Sequence, residues 1–542
     1  MSARASTLAP LAYGNFRTLW LATLVSNLGG LVQGVGAGWV MTTMTDSYNM
    51  VALVQAATTL PIMIFSIAAG ALADSFDRRR IMLAAQVLMT VISLGLAALT
   101  FMGLLTPWLL LAVTFLIGCG TALHNPSWQA SLGDLLPRKD LPSAVALNSM
   151  SFNLMRSVGP AIGGIVVTLG GVFAAFGLNA VSYLPLIWAL TRWRPDYPAK
   201  TLPRERFGSA MGAGVRYVFM SPKLLAVLFR GFVFGLAAIS VLALLPSVAS
   251  QYLASDALGY GTLLGSFGAG AIGGAFLSAQ LRARLRHETI IRIACIGFAV
   301  SCAALGLSRN SLLSHLALLP AGACWVLALS LFNMTIQLST PRWVVGRVLS
   351  LYQTATFGGM ALGSWLFGFS ADVLGLQMAL IGAGIVLLVC ALMGLALPLP
   401  EFGEDNLDPL DTFREPDLRL DLRSRSGPIL IVVDYVIDQQ DIPAFLRLMA
   451  ERRRIRLRDG ARNWALLRDL ENPEVWSESY HVATWLDYVR LQGRRTQVDA
   501  ENFSQILRLH RGDERPRVSR KIERQTVPTR EDLTLRKDVE LP

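Results

Sequence analysis

The first 400 residues run as long apolar stretches separated by polar breaks. Twelve of these stretches reach the roughly 20 residues that a helix needs to cross about 30 Å of hydrocarbon. The predicted spans are 16–41, 50–73, 81–104, 108–130, 144–168, 172–191, 224–248, 259–281, 289–308, 312–336, 346–370 and 376–398. After Pro400 the pattern changes: residues 401–426 are charged, poor in aromatics and without apolar period, as a linker or surface strap would be. Alternation then returns in PILIVVDYVID (428–438), which predicts a half-buried strand. DIPAFLRLMAERRRIRLRD (441–459) predicts a helix with Asp441 at its N-cap and Phe445, Leu448 and Met449 on one face.

ARNWALLRDL and EVWSESYHVATW predict two strands around the turn ENP, LDYVRLQGRR and DAENFSQILRLH predict helix, and PRVSRKIERQTV predicts a last strand. The order β-α-β-β-α-β is ferredoxin-like. The expected fold is therefore an all-α membrane protein of 12 transmembrane helices, followed by a soluble α+β ferredoxin-like domain. Its expected layout is a six-helix bundle (1–191), a cytoplasmic central loop (192–223), a second bundle (224–400), a linker (401–426), the α+β domain (427–524) and a disordered tail (525–542).

Composition agrees: 542 residues with 53% hydrophobic and 16% charged side chains exclude an ordinary soluble enzyme. Residues 1–400 hold 23 Lys+Arg against 10 Asp+Glu, whereas 401–542 hold 25 against 27. A tail so close to neutrality argues against nucleic-acid binding. Alternate connections between spans carry 19 basic residues, and the opposite set carries only Arg309. The positive-inside rule then places both termini in the cytoplasm of a multi-pass protein of the cell (inner) membrane. The N-terminal stretch lacks the short apolar core and cleavage site of a signal peptide, so the first span serves as address and anchor. All five cysteines fall in spans, where they act as small buried hydrophobes; no metal site or cofactor is expected.

A shift of 204 residues superposes the second half on the first. Gly70 falls on Gly274, Arg78 and Arg80 on Arg282 and Arg284, Pro137 and Arg138 on Pro341 and Arg342. Gly159, Gly164 and Gly171 fall on Gly363, Gly368 and Gly375. Two six-helix repeats in parallel suit a transporter that rocks about a central site.

Two motifs then carry a resemblance. GALADSFDRRR (70–80) resembles the major facilitator superfamily signature G-x-L-a-D-r-x-G-r-[RK] through Gly70, Leu72, Asp74, Arg78 and Arg79, departing at Asp77 where glycine is usual. GPAIGG, with Gly159, Pro160, Gly163 and Gly164, resembles the fifth-helix motif of exporters in that superfamily. The chain as a whole is similar to the branch that contains enterobactin and macrolide exporters, particularly "transmembrane secretion effector" members with a soluble extension. The resemblance implies proton-coupled export of a small organic molecule, with Asp74 as a gate residue bracing the outward-facing state. The tail resembles the dimeric α+β barrel of antibiotic-biosynthesis monooxygenases, which implies homodimerisation. It also leaves an alternative in which the tail is a membrane-anchored catalyst.

Arg156 lies mid-span, where a lone charge costs several kcal/mol unless it faces protein or water. It either attracts an anionic or carbonyl-rich substrate, senses a proton through a carboxylate, or hydrogen-bonds carbonyls across the bundle. Asn153 stands one turn before it. Arg230, about seven residues from a span end, is placed to snorkel. No span has a mid-helix acid, and the arginine that related exporters carry in the fourth span is Thr114 here, so His124 and Asp134 are the candidates for proton coupling. Asn27, Gln33, Asn333, Gln337, Gln353 and Thr354 are either cavity-lining groups or helix–helix hydrogen bonds. The glycines of GTLLGSFGAGAIGGAF suit tight helix packing; no strand precedes them to support a dinucleotide loop. The run ERRRIRLR (451–458) reads as a contact to lipid headgroups or as a solvated helix face.

Overall fold

The computed structural model describes residues 9–137, 140–194, 207–341, 343–400, 407, 410, 416, 418–420, 422–423, 425–512 and 514–523. Within these, some side chains, Asp74 and Asn153 among them, lie outside the description, as does the motif position Gly70. The chain divides into two compact units: residues 1–207, 223–336 and 349–401 form one, and residues 208–222, 337–348 and 402–542 the other.

The first unit is helical. Its helices are α1 (Gly14–Met44), α2 (Tyr48–Ser75), α3 (Arg78–Phe101), α4 (Pro107–Leu135), α5 (Leu141–Ser182) and α6 (Leu184–Arg192). After α7 (Phe207–Phe219) come α8 (Pro222–Ser247), α9 (Ala257–Arg284), α10 (His287–Leu307), α11 (Ser311–Leu338), α12 (Val345–Leu374) and α13 (Leu376–Met393). Among the described residues eleven helices are long and apolar enough to span a membrane, one fewer than the twelve apolar windows. The difference sits in α5, which runs through the fifth and sixth windows but is broken at Gly171 (φ 72°, ψ 177°). Gly375, its counterpart at the 204 offset, ends α12 with φ 87° and ψ 155°. Glycine alone adopts that region without strain, so the repeat extends to backbone conformation. It also extends to the turn before each of these helices: Asp140 N donates to Pro137 O and Val344 N to Pro341 O, each at 3.0 Å. Large apolar side chains remain on the outside, with Phe101, Leu169 and Phe276 at least three-quarters exposed, as a lipid-facing surface requires.

Close backbone approach holds the helices together. A Cβ added at Gly322 in α11 would lie 1.8 Å from Phe267 O in α9, and one at Gly270 in α9 would lie 1.8 Å from Leu319 O, so the glycine run of α9 is a packing surface. In the first half the counterpart Gly118 of α4 approaches Pro61 and the Ala57 carbonyl of α2 in the same manner.

The second unit contains β1 (Ile429–Val436), α14 (Ile442–Asp459), β2 (Arg462–Arg468), β3 (Val475–Val482), α15 (Trp485–Gly493), α16 (Gln497–Leu509) and β4 (Arg517–Ile522). The sheet is antiparallel in the order β2-β3-β1-β4. Alternate residues of β1 and β3 are buried, including Ile431, Val433, Tyr435, Trp476 and Tyr480, and α14 covers them with Phe445 and Met449. Asp441 holds the N-cap position of α14 without a cap hydrogen bond; its carboxylate pairs with Arg511 at 3.1 Å. Leu418 and Leu422 pack on this core and Leu410 N donates to Arg495 O, so these residues of the expected linker act as a strap.

The same unit takes in two segments from between the membrane helices. Helix α7 lies within the central loop, and its Arg216 donates to the Arg458 carbonyl at 3.3 Å. The Arg458 guanidinium stands 5.1 Å from the Tyr217 ring, Tyr217 packs edge-on against Trp343, and Arg494 lies 4.3 Å over Trp343. Two loops and the tail are thereby one folded body.

Candidate functional site

The GPAIGG segment is where α5 is gripped from both sides. A Cβ at Gly159 would meet Leu31, and one at Gly163 would meet Val32 and Val35 of α1. One at Gly164 would stand 3.1 Å from the Gly261 Cα of α9, and one at Gly261 would stand 2.7 Å from the Pro160 carbonyl. The repeat reproduces the grip: Gly363 of α12 meets Leu236 of α8, and Gly368 meets Asn49 and Ala52 of α2. Each half thus offers one glycine-bearing helix that touches its own first helix and the second helix of the other half.

Arg156 lies on this α5 and crosses to the other half. Its guanidinium carbon is 5.7 Å from the Phe267 ring of α9 and 5.2 Å from the Trp325 ring of α11. Trp325 belongs to an aromatic group with Phe234, Phe267 and Phe298. Aromatic faces attract a cation but do not neutralise it, and no carboxylate among the described residues pairs with Arg156. Asn27 of α1 and Gln353 of α12 are likewise half-buried and without hydrogen-bond partners among the described residues. Such groups need water or a ligand in contact with them. Asn333 is half-buried on α11 and Thr354 bonds the Ser66 hydroxyl of α2 at 2.8 Å, whereas Asn153 and Asp74 fall outside the described side chains.

Other candidates have partners on neighbouring helices. Gln33 is buried and accepts from Asn179 and, at 3.2 Å, from Ser93, linking α1, α3 and α5. Asn179, an amide in the middle of an apolar run, is the partner that sequence reading passed over. His124 is buried on α4 with Nδ1 3.3 Å from Gln86 Nε2 of α3. Asp134 accepts from Arg78 at 2.7 Å, and Arg78 also donates to Ala130 O. Arg79 donates to the carbonyls of Leu190 and Thr191 at the end of α6, where a cation offsets the helix dipole. Asp77, the departure from the signature, is the N-cap of α3 and accepts from Arg79 N at 2.9 Å. Arg230 does not snorkel: it is fully buried and forms a two-armed pair with Glu288 at 2.5 and 3.1 Å.

At the ends opposite the Arg78 loop, the halves close on each other. Asp372 of α12 accepts from Ser47 Oγ (2.8 Å), Tyr48 N (2.7 Å) and Asn49 N (3.3 Å) at the start of α2. Tyr48 bonds Gln251, and Trp39 of α1 stacks on Tyr260 of α9.

Two bundles gripping each other through paired helices, with Arg156 of one resting on aromatic rings of the other, define a membrane transporter of the major facilitator class. The solved structures agree on the fold. A bacterial homologue of the human lysosomal transporter Spinster, captured inward-facing and unoccupied, superposes with a TM-score of 0.56 at 14% identity, over 73% of this chain and 98% of that one. The nucleoside transporter NupG gives 0.56 at 10% identity, over 71% and 99%. The chain belongs to the transmembrane secretion effector family, whose pattern matches residues 5–527. Among curated proteins it is similar to the enterobactin exporter EntS of Citrobacter koseri, 27% identical over 71% of this chain and 94% of that protein. EntS of Escherichia coli O1:K1 is also 27% identical, over 70% and 92%. Family and relatives point to transport, not to catalysis.

Proposed function

We propose that the protein exports a small organic anion, of the siderophore or drug type, from the cytoplasm by alternating access. The observation that carries this is Arg156, a half-buried cation of one half resting on Phe267 and Trp325 of the other, with no acid pairing it among the described residues. A substrate with carboxylate or catecholate oxygens and flat rings satisfies both the charge and the aromatic faces. Its departure would return that charge to water, so binding and rocking are linked through α5. The relatives' names, enterobactin exporters, favour such a substrate.

In this reading the chain crosses the membrane twelve times, with Gly171 turning α5 back so that it supplies two crossings, and both termini are cytoplasmic. The Asp372 and Tyr260 contacts then seal the outer side. Proton exchange falls to His124, because Asp134 is already committed to Arg78. The C-terminal domain is ferredoxin-like, as the sheet order supports, and pairs with a second copy through the sheet face bearing Leu430, Val432 and their register partners Lys521 and Ser519.

Export of a catecholate siderophore from cells, or counter-transport in proteoliposomes with and without a proton gradient, tests the reading. Arg156→Ala is expected to cut transport at least tenfold at normal membrane abundance. Wild-type rates in that variant would return Arg156 to a packing role.

A further inference from the structure

Among its described residues the C-terminal domain buries more positive charge than its acids balance. Arg452 and Arg456 on the inner face of α14 are 3% and 4% exposed, and the acid they reach among the described residues is Glu478 of β3, which is 0% exposed. The run ERRRIRLR is thus neither a lipid contact nor a solvated face at those two positions. The Glu478 carboxylate is already well used: Oε1 accepts from Arg456 Nε (3.0 Å) and Trp464 Nε1 (3.1 Å), and Oε2 from the Tyr435 hydroxyl (3.1 Å). Burial alone would raise the pKa of Glu478, yet the Arg456 and Arg452 charges hold it down at about 2.

Arg452 is left over. Its Nε, 3.8 Å from Glu478, is buried without a hydrogen-bond partner, and its guanidinium lies 4.7 Å from the Phe503 ring. Two guanidiniums against one carboxylate leave one positive charge uncompensated among the described residues of a low-dielectric core, an arrangement that is costly unless a further acceptor enters.

We propose that this cluster is a ligand site in which Arg452 and Arg456 hold a small oxyanion, a carboxylate or a phosphate. The guanidinium fork matches either anion in two-armed geometry. The Tyr480 ring 4.4 Å beneath Arg456 and the Phe503 ring 4.7 Å from Arg452 back the two guanidiniums and hold them in place for the anion. The site makes the tail a sensor for a cytosolic metabolite rather than an inert appendage.

The test uses the full-length protein in detergent micelles. Calorimetric titration with sodium benzoate and with sodium phosphate, at ionic strength fixed by chloride, is expected to give one saturable site. Tighter benzoate binding assigns an organic acid, and tighter phosphate binding a phosphate ester. Arg452→Gln should weaken binding at least tenfold, whereas Arg454→Gln, on the exposed face of α14, should leave it unchanged. Equal affinity in the two variants overturns the proposal. So does a wild-type thermal midpoint that rises no more with benzoate or phosphate than with chloride, a measurement that needs no variant.

Discussion

The two six-helix halves share a backbone plan and differ in their charges. At a 204-residue offset they match in the left-handed glycines Gly171 and Gly375, in the Pro137 and Pro341 turns, and in the glycine contacts of Gly159/Gly363 and Gly118/Gly322. The ion pairs do not follow. Arg78 is bound to Asp134, but its counterpart Arg282 bonds, among the described residues, the Ser278 hydroxyl four residues earlier. Conversely, the buried Arg230–Glu288 pair stands where the first half has Ser26 and Ala84. The shared part is what any rocking bundle needs, and the unshared part is where the two halves acquired separate duties.

Breaking the buried Arg230–Glu288 pair of the second half should have the largest effect. Arg230→Ala leaves Glu288 with the more exposed Arg292 at 3.3 Å and is expected to cost about 3 kcal/mol, seen as a lower thermal midpoint of the purified protein; Ser26→Ala, its counterpart, should be nearly silent. The C-terminal unit, which has no repeat partner, gives an outside reference. Glu478 has a folded pKa of about 2 against an ordinary 4.5. Its contribution is present above about pH 4.5 and lost as pH falls toward 2, a term on the order of 3 kcal/mol. Acid unfolding of that unit should lose this slope in Glu478→Gln.

Next come the glycines. Gly171→Ala and Gly375→Ala should each cost about 1–3 kcal/mol through backbone strain, and a large inequality between them would show that the repeat is only approximate. Arg78→Gln should cost about 1 kcal/mol and Arg282→Gln about half or less; equal costs would remove the asymmetry argued above. The smallest effect is expected of Asp372→Asn, which weakens an exposed cap on α2. A change in transport of about two- to threefold, without loss of abundance, is the expected readout.

Much of this was legible in the residues. The apolar windows found the membrane helices because a span must be apolar for its whole length, and the strands and helices of the tail followed from alternation and period. Arg156 stood out because charge in an apolar run has no cheap explanation. Its ring partners did not, since Phe267 and Trp325 are more than 100 residues away and look like any lipid-facing aromatics. Arg230 was misread for the same reason: Glu288 sits at a helix start, which resembles a solvated end until the chain folds it inward. Asp77 could have been read as an N-cap from the polar residue preceding a helix, but the motif comparison drew attention to the missing glycine instead. Helix α7 was hidden inside a stretch taken as loop, although Met211, Val215 and Val218 recur at helical spacing.

The second unit is stitched from three separate lengths of chain, 208–222, 337–348 and the tail. It is therefore not a cassette. A ribosome delivers two of its pieces before the third, so they wait unfinished until the third has been made. Grafting residues 402–542 onto another transporter would transplant an incomplete body, whereas a graft carrying both inner segments would keep the Tyr217, Trp343 and Arg458 contacts together.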